Sequence, residues 1–337
     1  VRRVGLGLIV LGLSATSWPA LADTPPSAWD RARDPAVVER YRLHKEVQAW
    51  MNLPREGQER GMRLGTLERA RAALEEASAA TSPDVRLRFD LGEIYENLDR
   101  HEEALAVLEP ALAMAPDHSA APRAWLSLAF AAAKLDRSRE EIRGYDAFLA
   151  RSTEPDASVL ANRAEAEMRL GDLDAAVAGY REVIDGLEHG RFVGQDAYMQ
   201  LALARWGLAV ALDRSGDRGA AESEARTAVE SDPREAFIGD QENVFFVPAY
   251  ERDWYYGLGR AERAKLATDA ARAVAMWDLT VQTWADYIQK AASTDRWLPL
   301  ARAHLASAKA ARAAAVLRLP ATRRGLRRAS SSPFGER

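Results

Sequence analysis

Four times along its length the chain breaks one helical stretch with a short polar turn and starts a second in the same phase. The segments are NLDRHEEALAVLEPALAMAPD from Asn97, KLDRSREEIRGYDAFLARSTEPD from Lys134, RLGDLDAAVAGYREVID from Arg169 and RSGDRGAAESEARTAVESDP from Arg214. Equivalent positions are Ala104, Glu141, Ala176 and Ala221, at intervals of 37, 35 and 45 residues. One helix–turn–helix of this length buries too little apolar surface to stand alone, so neighbouring units must stack. An ordinary amphipathic bundle has no reason to keep the break and its small residues in register four times.

Inside that period the residue types recur in order. The first unit has Leu91-Gly92-x2-Tyr95, then Ala104-x3-Leu108, Ala111 and Pro116. The second has Trp125-x2-Leu128-Ala129 and Tyr145; the third has Ala164 and Ala176-x3-Tyr180; the fourth has Leu208-Ala209, Ala221, Ala228 and Pro233. Small residues let paired helices approach, and large ones fill the gap between pairs. The order resembles the tetratricopeptide repeat, a helical hairpin with the signature W-x2-L-G-x2-Y, A-x3-F, P. Glu141 departs from the usual Ala, and the third unit lacks the closing proline. The resemblance covers about residues 57–234. It implies an all-α, right-handed α-solenoid of stacked helical hairpins, with about four recognisable units between degenerate N- and C-terminal helices.

The flanks read differently. Residues 1–22 combine Arg2 and Arg3, an apolar run from Val4 to Leu13, and Ala20-Leu21-Ala22 before Asp23. This is the order of a secretory signal peptide, and the run is shorter than the roughly 20 residues of a membrane span. A lipoprotein needs Cys where Asp23 stands. The expectation is an exported or periplasmic chain, cleaved after Ala22, with no transmembrane span. Residues 23–56 read as a flexible lead-in and N-terminal helix, 57–84 as a half-repeat and 85–234 as the array. Residues 235–319 read as an aromatic-rich junction, a degenerate repeat with Trp284 and Tyr287 on one face, and an Ala-rich cap. Residues 320–337 form a basic, Ser-rich tail that reads as disordered.

Catalysis finds no foothold. There is no cysteine, and the five histidines have no metal-ligand spacing. Nucleophile-elbow, zinc-protease and phosphate-loop motifs are absent, and Gly257-x-Gly259 alone reads as a turn signal. The acidic pairs Glu93/Glu96 and Glu102/Glu103 suit solvated helix faces. The chain is therefore expected to be no enzyme and to hold no cofactor or metal. Residues 23–320 carry a net charge of −10, which disfavours a nucleic-acid partner. The Arg cluster of the tail suits at most weak contact with an anionic surface.

What the resemblance implies instead is an interaction scaffold or adaptor of the bacterial envelope. In this family the first helix of each hairpin lines a groove. That geometry would place Arg86, Phe89, Glu93 and Asn97 there, then Arg123, Leu126, Phe130 and Lys134. Ser158, Ala161, Glu165 and Arg169 follow, and then Leu203, Trp206 and Val210. The expected partner is an extended peptide or a helix of an envelope component. Clamping of a C-terminal carboxylate is not expected, because Phe89 and Glu93 stand where that subset of the family has Lys and Asn. Phe245, Phe246, Tyr250, Trp254 and Tyr255 form an aromatic run with two readings, a packed joint beside irregular repeats or a docking patch. The second would make the chain a structural subunit of a secretion, motility or cell-wall machine. A third option is an accessory subunit of an enzyme on another chain.

Overall fold

The turn that holds the phase has a stereochemical origin. Asp99, Asp136, Gly171 and Gly216 each adopt left-handed backbone, with φ of 59°, 55°, 87° and 92°. Each lies five residues before Ala104, Glu141, Ala176 or Ala221. Gly takes this conformation freely, and Asp tolerates it better than most residues. Where Gly serves, the next residue is an Asp whose side chain caps the following helix: Asp172 accepts from Ala175 N and Asp217 from Ala220 N. Where Asp serves, the reversal closes through backbone alone, Arg100 N donating to Tyr95 O at 2.8 Å and Arg137 N to Ala132 O at 2.9 Å.

The computed structural model describes residues 25–51, 60–152, 156–193, 196–239 and 246–320. All regular structure among them is helical. The expectations for the signal peptide, for Phe245 and for the tail beyond Pro320 lie outside these residues. Helices α1 (Ala28–Arg33), α2 (Val37–Met51) and α3 (Arg60–Glu76) lead into α4 (Val85–Asn97), α5 (His101–Met114), α6 (Ala121–Lys134), α7 (Ser138–Leu149) and α8 (Ala157–Leu170). Then come α9 (Leu173–Glu188), α10 (Ala197–Ser215), α11 (Arg218–Ser231), α12 (Arg252–Leu266), α13 (Ala270–Lys290) and α14 (Leu298–Leu317). The chain divides between Gly171 and Asp172 into two compact units, each a stack of helical hairpins. No helix among the described residues is long and apolar enough to cross a membrane.

In the first unit α4 packs on α5 and α6, α6 on α7, and α7 on α8; α2 packs on both α3 and α4. Leu74, Leu87, Leu91, Ile94, Leu108 and Leu112 fill its core. A Cβ added at Gly92 would collide with Leu108, so the Leu91-Gly92 pair of the repeat pattern marks a close helix crossing. Arg137 pairs with Glu102 at 2.9 Å, Arg143 with Glu109 at 3.1 Å and Arg151 with Asp117 at 3.0 Å. These partners sit 35, 34 and 34 residues apart, one repeat period. Exposed pairs of this kind stabilise little individually, but they show the same surface position recurring in successive hairpins.

In the second unit α10 packs on α9, α11 and α12, and α13 packs on α12 and α14. The repeat spacing continues here. Arg226 pairs with Glu262, Asp253 with Lys290 and Asp278 with Arg312, at separations of 36, 37 and 34 residues. Helices α12 and α13 thus form a further hairpin, on which α14 stacks. Gly257 and Gly259 are not a turn: both lie inside α12. A Cβ at Gly257 would come within 2.6 Å of Trp284, and one at Gly259 within 2.5 Å of Trp206. The missing side chains make room for two indoles. Gly257→Ala is therefore expected to cost about 1–3 kcal/mol by overpacking, read as a lower urea midpoint; an unchanged midpoint would contradict this.

Candidate interaction surface

Most of the groove residues expected in the first unit are already engaged by their own chain. Arg86 pairs with Asp84 at 2.7 Å and its guanidinium lies 5.2 Å from the Tyr41 ring centroid. Phe89 is buried, edge-on to His118 at 5.9 Å. Glu93 accepts from Arg123 Nε at 2.6 Å, and Arg123 Nη1 donates to Gln48 Oε1 at 3.2 Å. Gln48 Nε2 donates to Asp90 Oδ1 at 2.7 Å, and His44 Nδ1 meets Asp90 Oδ2 at 2.6 Å. This polar network ties α2, α4 and α6 together across the face assigned to a peptide. Asn97 Nδ2 donates to Glu93 O and to the Glu96 carboxylate.

Further along the first unit, Phe130 is half-buried against Tyr145, centroids 6.1 Å apart. Arg169 is buried in an ion pair with Glu141 and donates to Ser138 Oγ at 3.2 Å, with Glu165 3.8 Å away. Burial pushes the Glu141 carboxyl up, and Arg169 beside it acts in the opposite direction. Burial also pushes the half-buried Lys134 amine down to about 8, against the pull of Asp99 and Glu96. An unfolded lysine titrates near 10.4. Between about pH 8 and 10.4 the unfolded chain therefore binds more protons, and stability from this group rises with pH. Thermal melts from pH 7 to 10 should show wild type gaining on Lys134→Met; a constant difference would contradict the burial.

Trp206 is no groove residue. It is fully buried over Gly259, within a stretch of α10 that is buried continuously from Trp206 to Arg214. Most of the described residues of the expected docking patch are covered in the same way. Phe246, Trp254 and Tyr255 are buried, Trp254 completely, and a patch needs exposed rings. Tyr250 is half-buried, its ring 5.3 Å from Tyr287 and its hydroxyl donating to Asp295 at 3.0 Å. Trp254 meets Trp284 at 5.1 Å and Tyr287 at 5.0 Å, both edge-on, while His304 stacks on Trp284 at 4.5 Å. These are favourable geometries for aromatic pairs.

Polar groups lock this aromatic core. Asp213 accepts from Trp254 Nε1 at 3.0 Å and contacts His304 Nε2 at 2.8 Å. Arg214 pairs with Glu251 at 2.5 Å between the rings of Trp254 and Trp297, 4.6 and 4.9 Å from their centroids. The Tyr287 hydroxyl lies 3.2 Å from Glu251 and 3.0 Å from Asp295, and burial raises it well above the ordinary tyrosine range. A His–Asp contact of this kind is structural here, because Asp213 also serves Trp254 and the ring of His304 is stacked. Among the described residues no cluster of His, Asp and Glu converges to hold a metal.

Sequence reading missed the face of α12 made by Arg252, Tyr256, Arg260 and Arg263. Their spacing of four, four and three places them in one stripe, a signal present in RDWYYGLGRAER but overshadowed by its neighbouring rings. The guanidinium carbons of Arg252 and Arg260 lie 5.8 and 4.8 Å from the Tyr256 ring centroid.

A tetratricopeptide-repeat family model matches residues 62–128. Among solved structures, a MamA RS-1 ArsTM double mutant is similar at 16% identity, covering 57% of this chain and 96% of that one, with a TM-score of 0.44. A second MamA crystal structure is 17% identical over 57% of this chain and 94% of that one, TM-score 0.43. A tetratricopeptide repeat protein from Parabacteroides merdae is 14% identical over 80% of this chain and 99% of that one, TM-score 0.45. No curated protein matches the chain.

Proposed function

Because the chain is a tetratricopeptide-like, all-helical repeat protein, we propose that it is a non-catalytic protein-interaction scaffold, exported to the bacterial envelope. The observation that carries the scaffold reading is the hairpin array itself. Stacked hairpins offer long helix faces built from successive units, which suit extended or helical protein segments. The order of a basic start, an apolar run and Ala20-Leu21-Ala22 supports export. Within the array, the second unit is the better place for a partner. The polar atoms of the first unit's groove positions are largely spent on the network from His44 to Arg123, whereas the Arg252 guanidinium of α12 contacts only the Tyr256 ring among the described residues.

Crosslinking mass spectrometry on envelope fractions tests this reading. The expected result is a reproducible crosslinked protein partner in a periplasmic or membrane-associated fraction. Recovery in the cytosol alone would overturn the export claim, and no reproducible partner would overturn the scaffold claim.

A further inference from the structure

We propose that the Arg252–Tyr256–Arg260–Arg263 face of α12 binds a carboxylate-rich extended segment of a partner protein. The inference rests on the interaction role above and names the chemistry of its ligand. All three arginines and Tyr256 are half-buried, so their charges sit partly desolvated rather than spread on an open surface. The chain from Asp232 to Gly239 faces them with limited compensation. Glu235 lies 3.2 Å from Arg263 and 4.0 Å from Arg260. The Asp232 carboxylate accepts from the backbone of Ala236 at 2.7 Å and Phe237 at 3.1 Å, so it is turned into its own loop. Arg263 donates to the Asp232 carbonyl at 3.2 Å, and Arg260 to Thr283 Oγ1 at 2.5 Å.

Arg252 is the unspent group. Among the described residues it forms no hydrogen bond or ion pair, only the contact with the Tyr256 ring. Its Nε, like that of Arg263, is buried without an acceptor. The guanidinium fork of a half-buried arginine matches a carboxylate in shape and charge. The stripe runs from Arg252 to Arg263, eleven helical rises, or about 16 Å. One small anion cannot span that length, whereas about five residues of extended chain can.

Fluorescence anisotropy on the full chain tests the proposal, with a labelled decapeptide of alternating Glu and Ser and its Gln–Ser counterpart. The Glu–Ser peptide is expected to bind, and the Gln–Ser peptide to bind at least about tenfold more weakly. Arg252→Gln should weaken Glu–Ser binding about tenfold with an unchanged thermal midpoint. Arg302→Gln, an exposed change on α14, should leave it unaltered, and the basic tail is the same in every variant. Absence of Glu–Ser binding, or equal binding by Arg252→Gln, would overturn the proposal. So would displacement of the peptide by inorganic phosphate at comparable concentration, or tighter binding of a labelled DNA oligonucleotide. If the peptide fails while crosslinking still recovers a partner, the scaffold role stands and only this ligand assignment falls.

Discussion

Glu141→Ala installs the residue that the repeat pattern prefers, yet it is expected to destabilise the first unit by about 3–5 kcal/mol. The reason is Arg169, buried against Glu141 and held cationic by it despite its burial. Removing the carboxylate leaves a guanidinium in the interior with Ser138 Oγ at 3.2 Å and Glu165 at 3.8 Å as its remaining neighbours. Replacing both partners removes that penalty, so Glu141→Ala with Arg169→Met should lie close to wild type. Urea denaturation of the two single variants and the double variant gives the comparison. A neutral Glu141→Ala would mean that the pair is not the compensation for the degenerate second repeat.

Trp254→Ala is the second large effect, at about 3–5 kcal/mol. The indole is fully buried and edge-on to Trp284 and Tyr287. Its loss opens a cavity, strips Asp213 of the Nε1 donor at 3.0 Å and removes one of the two rings that flank Arg214. Trp254→Phe should keep most of the packing and lose mainly the hydrogen bond, at about 1–3 kcal/mol. Near-UV circular dichroism and thermal melts distinguish this account from a docking patch. A docking residue would lose partner binding with its fold intact, and an unchanged melt for Trp254→Ala would favour that reading.

The fold was legible where its determinants are local. The four breaks keep phase because Asp99, Asp136, Gly171 and Gly216 supply left-handed backbone at matching places, and Asp and Gly are visible as turn formers in the sequence. What stayed hidden depends on distant partners. Glu141 looked like mere degeneracy because Arg169 lies 28 residues further on. Gly257-x-Gly259 looked like a turn because Trp206 and Trp284, which need its space, sit in other helices. Counting positions along one helix face puts Trp206 in the groove. That logic fails in α10, which is buried on every side from Trp206 to Arg214.

The candidate site was harder still. The groove assignment found residues on the expected helices, but sequence gave no view of Gln48 reaching Arg123 across 75 residues. The aromatic run was visible, and its burial was not. How many of its rings remain exposed depends on α13 and α14, where Trp284, Tyr287 and His304 close over Trp254. The arginine stripe of α12 lies within the same run and follows the helical period, but its significance rests on Arg252 contacting only the Tyr256 ring among the described residues.

Hydroxyl-radical footprinting of the full chain, read by mass spectrometry, tests most directly that the aromatic segment is the core of continuing hairpins rather than a docking surface. Trp206, Trp254 and Trp284 should be protected, while Trp29 and Tyr198, exposed by 78% and 61%, should oxidise readily. Oxidation of Trp254 at the rate of Trp29 in the folded chain would contradict the account.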